Sequence, residues 1–448
     1  MPLNNEAAID AIKQMLDWRK AEKVRLDNIH DYLHGLQRHP VSPRGSPVDL
    51  VNMAKISRVN MMKIVVNSVN QALFVDGFRQ ARTADNARVW GTWQANKMDR
   101  GQLGVHRAAL AYGLSFVTVL PGETTRADGT TIDEPVMRGV SPRRMTALYG
   151  EDPDWPMMAL QVEPGGGKSL YRLYDEEAVY FAESDDKDTS KDPITFIETR
   201  DHGFGVTPVV RFLNEEDLDE NNVGEVEPLM ALQDQVDLTT FSLLVAQHYA
   251  AFRQRYIIGW TASSETETLK AGAARILTFE DENVKIGEFE QTQLEGYLKS
   301  REETLKQMAS ISQTPVHELI GSLVNLSAEA LVAAEAGQRR KVVERQTGFG
   351  ESWEQVLELA GILIDEPVAE GAQMVWRDTE PRPLASIVDA LGKMAAQLEV
   401  PVEELWRRIP GVTEQDIERW SELRVQEQEV NSGDGETEPG SADVGAAA

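Results

Sequence analysis

The sequence predicts an α+β chain of several domains, and three observations predict it. Helical patterning comes first; eight short β-rich runs separated by turn signals follow between Ser115 and Leu213; two long helices then bracket a short strand-bearing insert. Strands that follow one another with only turns between them imply an antiparallel or mixed sheet joined by hairpins, not by helical crossovers. At 448 residues the chain has room for about three average domains.

Residues 4–35 place Ile9, Ile12, Leu16, Ala21, Val24 and Ile29 at mostly three-to-five-residue steps and stop at Gly35, the pattern of a long amphipathic helix. A Pro/Gly/Ser loop occupies His39 to Pro47, and helical segments are predicted around Val59–Leu73, Arg88–Met98 and Gly101–Tyr112. The strand-like runs are FVTVL, PVMRGV, MTALY, MMALQVE, SLYRLYD, AVYFAE, ITFIE and PVVRFL. Acidic loops at 183–192 and 214–227 interrupt them, the second with seven acidic residues and no basic one, and both read as solvated. The helix predicted over 226–252 carries Leu229, Leu232 and Val236 on one stripe, then turns apolar on every side from Leu238. Such a helix needs protein around it.

The insert at about 253–289 contains RYIIGW, ILTF and VKIGEF, a small α/β lobe. The helix predicted over 291–311 sets Leu294, Leu298, Leu305, Met308 and Ile311 on one face, with Glu295/Lys299 and Glu302/Lys306 as i,i+4 pairs in the favoured order. Pro315 and Gly321 break it. A third long helix starts near Ser327; Gly337, Gly348 and Gly350 lie inside it, at about 1 kcal/mol each against Ala, so a kink near TGFG is predicted. After a short strand, QMVWRD, residues 384–428 read as three small helices, and 429–448, with no basic residue, as a disordered tail.

Composition limits the chemistry. The 45 Lys+Arg against 73 Asp+Glu leave a net charge of −28, which argues against a surface that adheres to nucleic acid through basic residues. Cysteine is absent, which excludes disulfides, Cys-based zinc sites and thiol nucleophiles. The longest uncharged stretches, Ala108 to Gly122 and Leu238 to Phe252, both contain polar residues and fall short of a membrane span. MPLNNEAAIDAIKQ has no secretory-signal pattern.

EPGGGKS at 163–169 ends like a phosphate loop, but Val162 stands where the first glycine is required and strands flank it on both sides, so it reads as a hairpin turn. DLDEN at 217–221 resembles the opening of a calcium loop but has Asn222 and Pro228 at the positions needing Gly and Glu. His30 and His34 share a helix face without the Glu of a metalloprotease helix, and read as surface or interhelix residues. One cluster opposes the overall charge: Arg339, Arg340, Lys341 and Arg345 either pair with an acidic segment or contact a polyanion. No catalytic residue, metal site or cofactor is predicted.

The order and spacing of several stretches resemble the portal proteins of tailed bacteriophages, in the siphophage and actinophage-type group. These are WGTWQANKMD with HRAALAYGLSFVTV (90–119), SPRRMTALYGEDP (141–153), HGFGVTPVVRFLN (202–214), GEVEPLMALQDQVDLTTFSLLVAQHYAAFRQRYIIG (224–259) and, above all, SQTPVHELIGSLVNLSAEALVAAEAGQRRKVVERQTGFGESWEQVLELAG (312–361). The resemblance spans nearly the whole chain and implies a portal-type fold assembling into a ring, usually of twelve subunits. Such a ring would sit at one capsid vertex of the virion, after assembly in the host cytoplasm, with a channel for double-stranded DNA. The implied partners are further copies of the chain, that DNA, the terminase large subunit, the head-tail connector or adaptor, and the major capsid and scaffold proteins, with no membrane.

Carried onto this sequence, the resemblance makes 1–222 the wing, 223–252 the first stem helix, 253–290 the clip, 291–311 the second stem helix and 312–326 the tunnel loop. Residues 327–379 become a kinked tunnel helix with a strand returning to the wing, and 380–428 the crown. It implies a DNA-facing loop of Glu318, Leu319, Ile320, Gly321, Ser322, Leu323, Val324 and Asn325, and a channel-lining stem with Glu295, Lys299, Glu302, Glu303 and Lys306. Clip residues Arg253, Arg255, Glu265, Glu267 and Lys270 would face docking partners. Two readings compete, a metal-dependent DNA-processing enzyme using the surplus carboxylates and an acidic capsid scaffold without a channel.

Overall fold

In the computed structural model the described residues are all except 1, 43, 80–86, 126–128, 186–192, 220, 252–254, 259–284, 289–292, 322–327, 370, 379–383, 407, 410, 411, 413–415, 418 and 426–448. In chain order the elements begin α1 (Asn5–His34), α2 (Val48–Ile56), α3 (Met62–Asn70), β1 (Val75–Arg79), α4 (Ala87–Ala95), α5 (Met98–Tyr112), β2 (Leu114–Thr125) and β3 (Thr131–Val140). Next are β4 (Met145–Tyr149), β5 (Pro156–Gly165), β6 (Lys168–Tyr174), β7 (Ala178–Ser184), β8 (Ile194–Asp201), β9 (Val209–Leu213), α6 (Met230–Ala251), β10 (Arg255–Ile258) and β11 (Lys285–Glu288). The last are α7 (Glu295–Ser312), α8 (Val316–Ile320), α9 (Ala328–Leu363), β12 (Gln373–Trp376), α10 (Leu384–Leu398) and α11 (Val402–Trp406). They divide into two units, each assembled from separate pieces of chain: Met1–Asn70, Val105–Val117 and Gly139–Gly348 in one, Gln71–Gly104, Thr118–Arg138 and Phe349–Ala448 in the other.

In the first unit α1 is fixed at both ends by its sequence. The Asn4 side chain accepts the Ala7 N–H at 2.8 Å. Gly35 turns the chain at φ +69°, a conformation that favours glycine, and the Leu36 N–H closes on the Asp31 carbonyl at 2.7 Å. Ala8, Ile12, Met15 and Leu16 pack on Leu160, Val162, Tyr171, Leu173, Tyr180 and Ala182. These sheet residues belong to a five-stranded antiparallel meander in the order β4-β5-β6-β7-β8, as hairpin spacing predicts. The buried stripe of α1 continues through Arg19, Leu26, Ile29 and Leu33. Val24, predicted to lie on it, is 73% exposed, because its position on the helix falls on the face opposite that stripe.

The glycine-rich stretch is a hairpin turn: Gly165 pairs with Lys168, and Gly166 and Gly167 take φ +57° and +88°. All eight predicted β-runs form strands, with β2 between β3 and β9 in a three-stranded sheet. Of the insert, β10 pairs antiparallel with β11; the predicted strand ILTF lies outside the described residues.

The second unit contains two features without a periodic signal. β1 pairs antiparallel with β12, joining segments remote in sequence. The buried Gln102 side chain accepts the Val75 N–H at 2.7 Å and donates to its carbonyl at 3.0 Å. Trp93 and Trp353 are both fully buried and meet edge to face at 4.8 Å, with the Trp93 indole N–H donated to Asp99 at 2.9 Å. α9 is helical without interruption through Gly348 and Gly350. The predicted disturbance near TGFG leaves the helical backbone unbroken, since the burial of Phe349, Trp353, Val356 and Leu357 outweighs the glycine penalty. Gly361 is required where it stands: a Cβ there would lie 2.5 Å from the Glu366 carbonyl oxygen.

Candidate functional site

The segments assigned to the stem and the tunnel loop lie in the first unit, and α6 packs along α7. The stripe starts at Leu229, in the turn just before α6, and on α6 it buries Gln233, Val236 and Asp237. Asp237 accepts the Val59 N–H and the Gln37 and Gln233 amides, each at 2.9 Å. Burial still pushes its carboxyl above the ordinary carboxylate range, against the pull of those three donors. Beyond Asp237 the helix changes. Leu238 is 56% exposed, and Phe241, Leu244, Val245 and Ala246 are only half-buried, so a single subunit leaves this apolar half partly bare.

α7 buries Thr304, Leu305, Met308, Ala309 and Ser312 and turns Glu295, Lys299, Glu302, Glu303 and Lys306 to the outside. The predicted pairs form, Lys299 to Glu295 at 2.7 Å and Lys306 to Glu302 at 2.9 Å. Leu298 and Ile311, predicted to lie on the packed face, are 51% and 57% exposed. Leu298 lies nearly two turns before Thr304 and Leu305, where the buried stripe begins, and Ile311 lies beside that stripe rather than on it.

The predicted helix break falls at Gln313–Pro315, with Gln313 left-handed at φ +54°, and a short helix, α8, follows. Gly321 ends α8 at φ +74°, donating its N–H to the His317 carbonyl at 2.9 Å. Leu319 is buried at 5% exposure, so it anchors α8 to its own subunit and is corrected from a DNA-facing residue to a packing one. Glu318 and Ile320 are half-buried and Gly321 exposed. Burial raises the Glu318 carboxyl above its usual range; His317 opposes the shift and Glu335 adds to it. Ser322, Leu323, Val324 and Asn325 lie outside the described residues, as do Arg253, Glu265, Glu267 and Lys270 of the insert. Arg255 opens β10 opposite Glu288.

The basic cluster on α9 divides. Arg340 is exposed, and Arg339 lies 3.7 Å from Glu335 on its own helix. Lys341 and Arg345 are buried, which corrects them from polyanion contacts to members of an internal ion cluster. Lys341 bonds the Glu225 carboxylate and donates to the Ser312 carbonyl at 2.8 Å; Arg345 donates to the Asn214 amide oxygen at 3.0 Å and lies 3.7 Å from Glu225. Glu225 and Asn214 come from the acidic stretch 214–227, the alternative that the charge pattern left open.

Glu225 is held there by two glycines that permit close backbone approach. A Cβ on Gly113, which sits at φ +94°, would fall 2.4 Å from the Asn222 carbonyl oxygen, and one on Gly224 would fall 2.3 Å from that of Ala111. The Glu225 N–H then reaches the Leu110 carbonyl at 2.7 Å. Neither Glu225 nor Asn214 carries a recognisable motif; the one sequence signal is that the basic cluster on α9 and the acidic stretch 214–227 are complementary in charge.

Among the described residues no cluster of three or more His, Asp or Glu is placed to hold a metal ion, and no helix is long and apolar enough to cross a membrane. Residues 12–430 match the family described as phage portal protein, SPP1 Gp6-like. The portal protein of Mycobacterium phage D29 is 28% identical over 375 residues, covering 78% of this chain and 75% of that protein. The portal protein of Mycobacterium phage L5 is 29% identical over 364 residues, covering 76% and 72%. A solved structure titled "Neck of native GTA particle computed with C12 symmetry" aligns over 85% of this chain and 97% of its own, at 12% identity and a TM-score of 0.48. With the match running through nearly every described element, the chain belongs to the SPP1 Gp6-like family of phage portal proteins.

Proposed function

We propose that this portal subunit, a structural protein of the virion rather than an enzyme, forms a closed ring of twelve copies at one capsid vertex. Double-stranded DNA would pass through its centre during packaging, retention and ejection. The supporting observation is α6: apolar on all sides from Leu238 onward yet only half-covered by its own chain, it needs neighbours that adjacent copies in a ring would supply. In that ring 223–252 and 291–311 are the stem, 253–290 the clip that docks the terminase large subunit and later the head-tail connector, and 312–326 the tunnel loop. Residues 1–222 make the wing, next to the major capsid and scaffold proteins, 327–379 the tunnel helix with the strand that returns to the wing, and 380–428 the crown. The exposed Glu295, Lys299, Glu302, Glu303 and Lys306 line the channel. A chain of net charge −28 disfavours tight phosphate binding, which suits a conduit through which DNA must move.

Twelve copies of the 49.9 kDa chain weigh about 600 kDa. Native mass spectrometry and projection imaging of the purified protein are expected to give that mass and a central hole; a monomer or dimer that cleaves DNA on addition of Mg²⁺ would sink the reading. Asp or Lys substitutions at Leu323 and Asn325 are expected to change DNA retention or packaging while rings still assemble. Unchanged packaging across that series would remove the loop assignment and leave the ring itself untouched.

A further inference from the structure

Residues 36–58 run against the charge of the chain, with four basic residues, Arg38, Arg44, Lys55 and Arg58, to the single acidic Asp49. Among the described residues no carboxylate pairs with Arg38, Arg44 or Lys55, and Arg58 donates to the Gln37 carbonyl at 3.1 Å, a neutral acceptor. The short helix α2 lies in this stretch and packs on α6, with Ala54 as its buried residue. Val48, Asn52, Lys55 and Ile56, at i, i+4, i+7 and i+8, share the outward face, and all four are exposed, Val48 at 73% and Ile56 at 69%. An unpaired ammonium between two bare aliphatic side chains suits a partner surface that is both acidic and apolar. A phosphate backbone would serve Lys55 and leave Val48 and Ile56 in water.

The first unit carries such a surface. A recess of about 710 Å³ between α1 and α6 is lined by Asp27, Asp31, Asp234 and Asp237 together with the exposed Val24 and Leu238. Asp27 is occupied by Arg143 at 2.8 Å. The other three carboxylates have no cationic partner among the described residues: Asp234 accepts the Tyr32 phenol at 2.8 Å, and Asp237 accepts only the backbone N–H and side-chain amides described above. Arg38 is the lining guanidinium, and the His39 ring is engaged with its own Pro40 carbonyl at 3.1 Å, so three carboxylates face one fixed cation. The Tyr32 phenol registers this field, pushed up to about 12 by burial first, then by its bond to Asp234 and the charges of Asp234 and Asp237. Gln37, only 2% exposed, also lines the recess, and its amide oxygen has no donor among the described residues.

We propose that the outward face of α2 in one copy of the chain seats on this recess in the next copy, with Lys55 directed to Asp31 and Asp234 and with Val48 and Ile56 against Val24 and Leu238. The inference rests on the ring reading and names the two surfaces that meet. Two different patches joined head to tail are what a ring of many copies requires, whereas a two-fold dimer would use one self-complementary patch. Leu238 is also the residue at which α6 turns apolar, so the recess continues the surface that adjacent copies would cover. The charge pairing sets the register, and the aliphatic contacts exclude water around it.

The test is sedimentation velocity of the full-length protein over a concentration series. Lys55→Glu and Asp31→Lys, each of which sets like charges face to face, are each expected to raise the concentration of half-assembly by at least about tenfold. The exchange Asp31→Lys/Lys55→Glu restores opposite charges and is expected to recover most of that loss, a rescue that damage to folding would not give. Lys63→Glu, altered at an exposed position outside both surfaces, should assemble like wild type. Wild-type rings with single variants that assemble normally, or an exchange variant no better than the singles, overturn this pairing and leave the ring reading standing. A wild-type chain that stays monomeric overturns the ring reading, and the pairing with it. If Lys55→Glu assembles normally but loses binding to a short DNA duplex that wild type retains, the α2 face belongs to nucleic acid and the pairing is overturned.

Discussion

Glu225→Ala is expected to destabilise the first unit by about 3–5 kcal/mol, the range for removing one partner of a buried ion pair. The reason is asymmetry among the groups left behind. The side chains of Glu225 and Lys341 are each 7% exposed and that of Arg345 5%, so none can turn to water without opening the packing around it. Without Glu225, Arg345 keeps the Asn214 oxygen at 3.0 Å, Glu344 at 3.1 Å and Glu215 at 3.8 Å. Lys341 keeps only the Ser312 carbonyl at 2.8 Å, among the hydrogen bonds described for it. Most of the loss should therefore be carried by an ammonium left without a counter-charge. It follows that Glu225→Ala/Lys341→Met should recover much of the stability lost by Glu225→Ala alone, since a buried pair replaced by apolar groups is often close to neutral. Urea unfolding followed by circular dichroism checks both variants. A Glu225→Ala loss below about 1 kcal/mol, or a double variant no more stable than the single, would show that the cluster does not hold α9 against the start of α6.

The elements that could be read from sequence are those whose signal is local. Asn4 and Gly35 mark both ends of α1 because capping is decided by the residues at the ends themselves. The five-stranded meander was legible because each strand pairs with its sequence neighbour across a turn the residues spell out, Gly166-Gly167 among them. The α7 pairs were legible for the same reason, as four-residue spacing fixes their geometry. β1 had no such signal: its partner β12 lies at the far end of the chain, and nothing within VDGFR names QMVW. Helix faces were readable only in part: the core of α7 begins nearly two turns after Leu298, while Val24 and Ile311 fall off the buried stripes of their helices. Periodicity says which positions can face a core, and only the tertiary neighbours decide how far along the helix that core extends.

The basic cluster shows the same boundary within the candidate site. Four cations within seven residues of one helix could serve either as an external contact or as internal pairing, and composition cannot separate the two. Burial separates them residue by residue: Lys341 and Arg345 belong to the interior and Arg340 to the surface. The segments closest to the proposed channel function carry no chemical motif, although 312–361 is the stretch that most resembles the family. A conduit requires the absence of adhesive contacts over a surface, and no chemical motif records an absence.

Trp353→Ala should be the counterpart in the second unit, with a loss of about 3–5 kcal/mol. Trp353 is fully buried on the second half of α9, after the chain leaves the first unit at Gly348, and its ring meets Trp93 edge to face at 4.8 Å and 73°. Removing it deletes a large apolar contact and opens a cavity beside Trp93, whose position is fixed by its bond to Asp99 and its stacking with Trp90 at 5.1 Å. A ring held from two other sides cannot collapse into the space, so the cavity should persist. Trp353→Phe should cost less, keeping an aromatic edge near the Trp93 face. The edge-to-face contact itself should appear as a coupling of about 0.5–1.5 kcal/mol in a double-mutant cycle with Trp93→Leu. Because α9 carries Lys341 in one unit and Trp353 in the other, the two substitutions should act on different transitions if the units unfold separately. Differential scanning calorimetry distinguishes the cases. Glu225→Ala and Trp353→Ala shifting one shared transition would mean that the uninterrupted helix through Gly348 and Gly350 couples the units. Shifts in separate transitions would mean that a continuous backbone helix is not by itself a mechanical link.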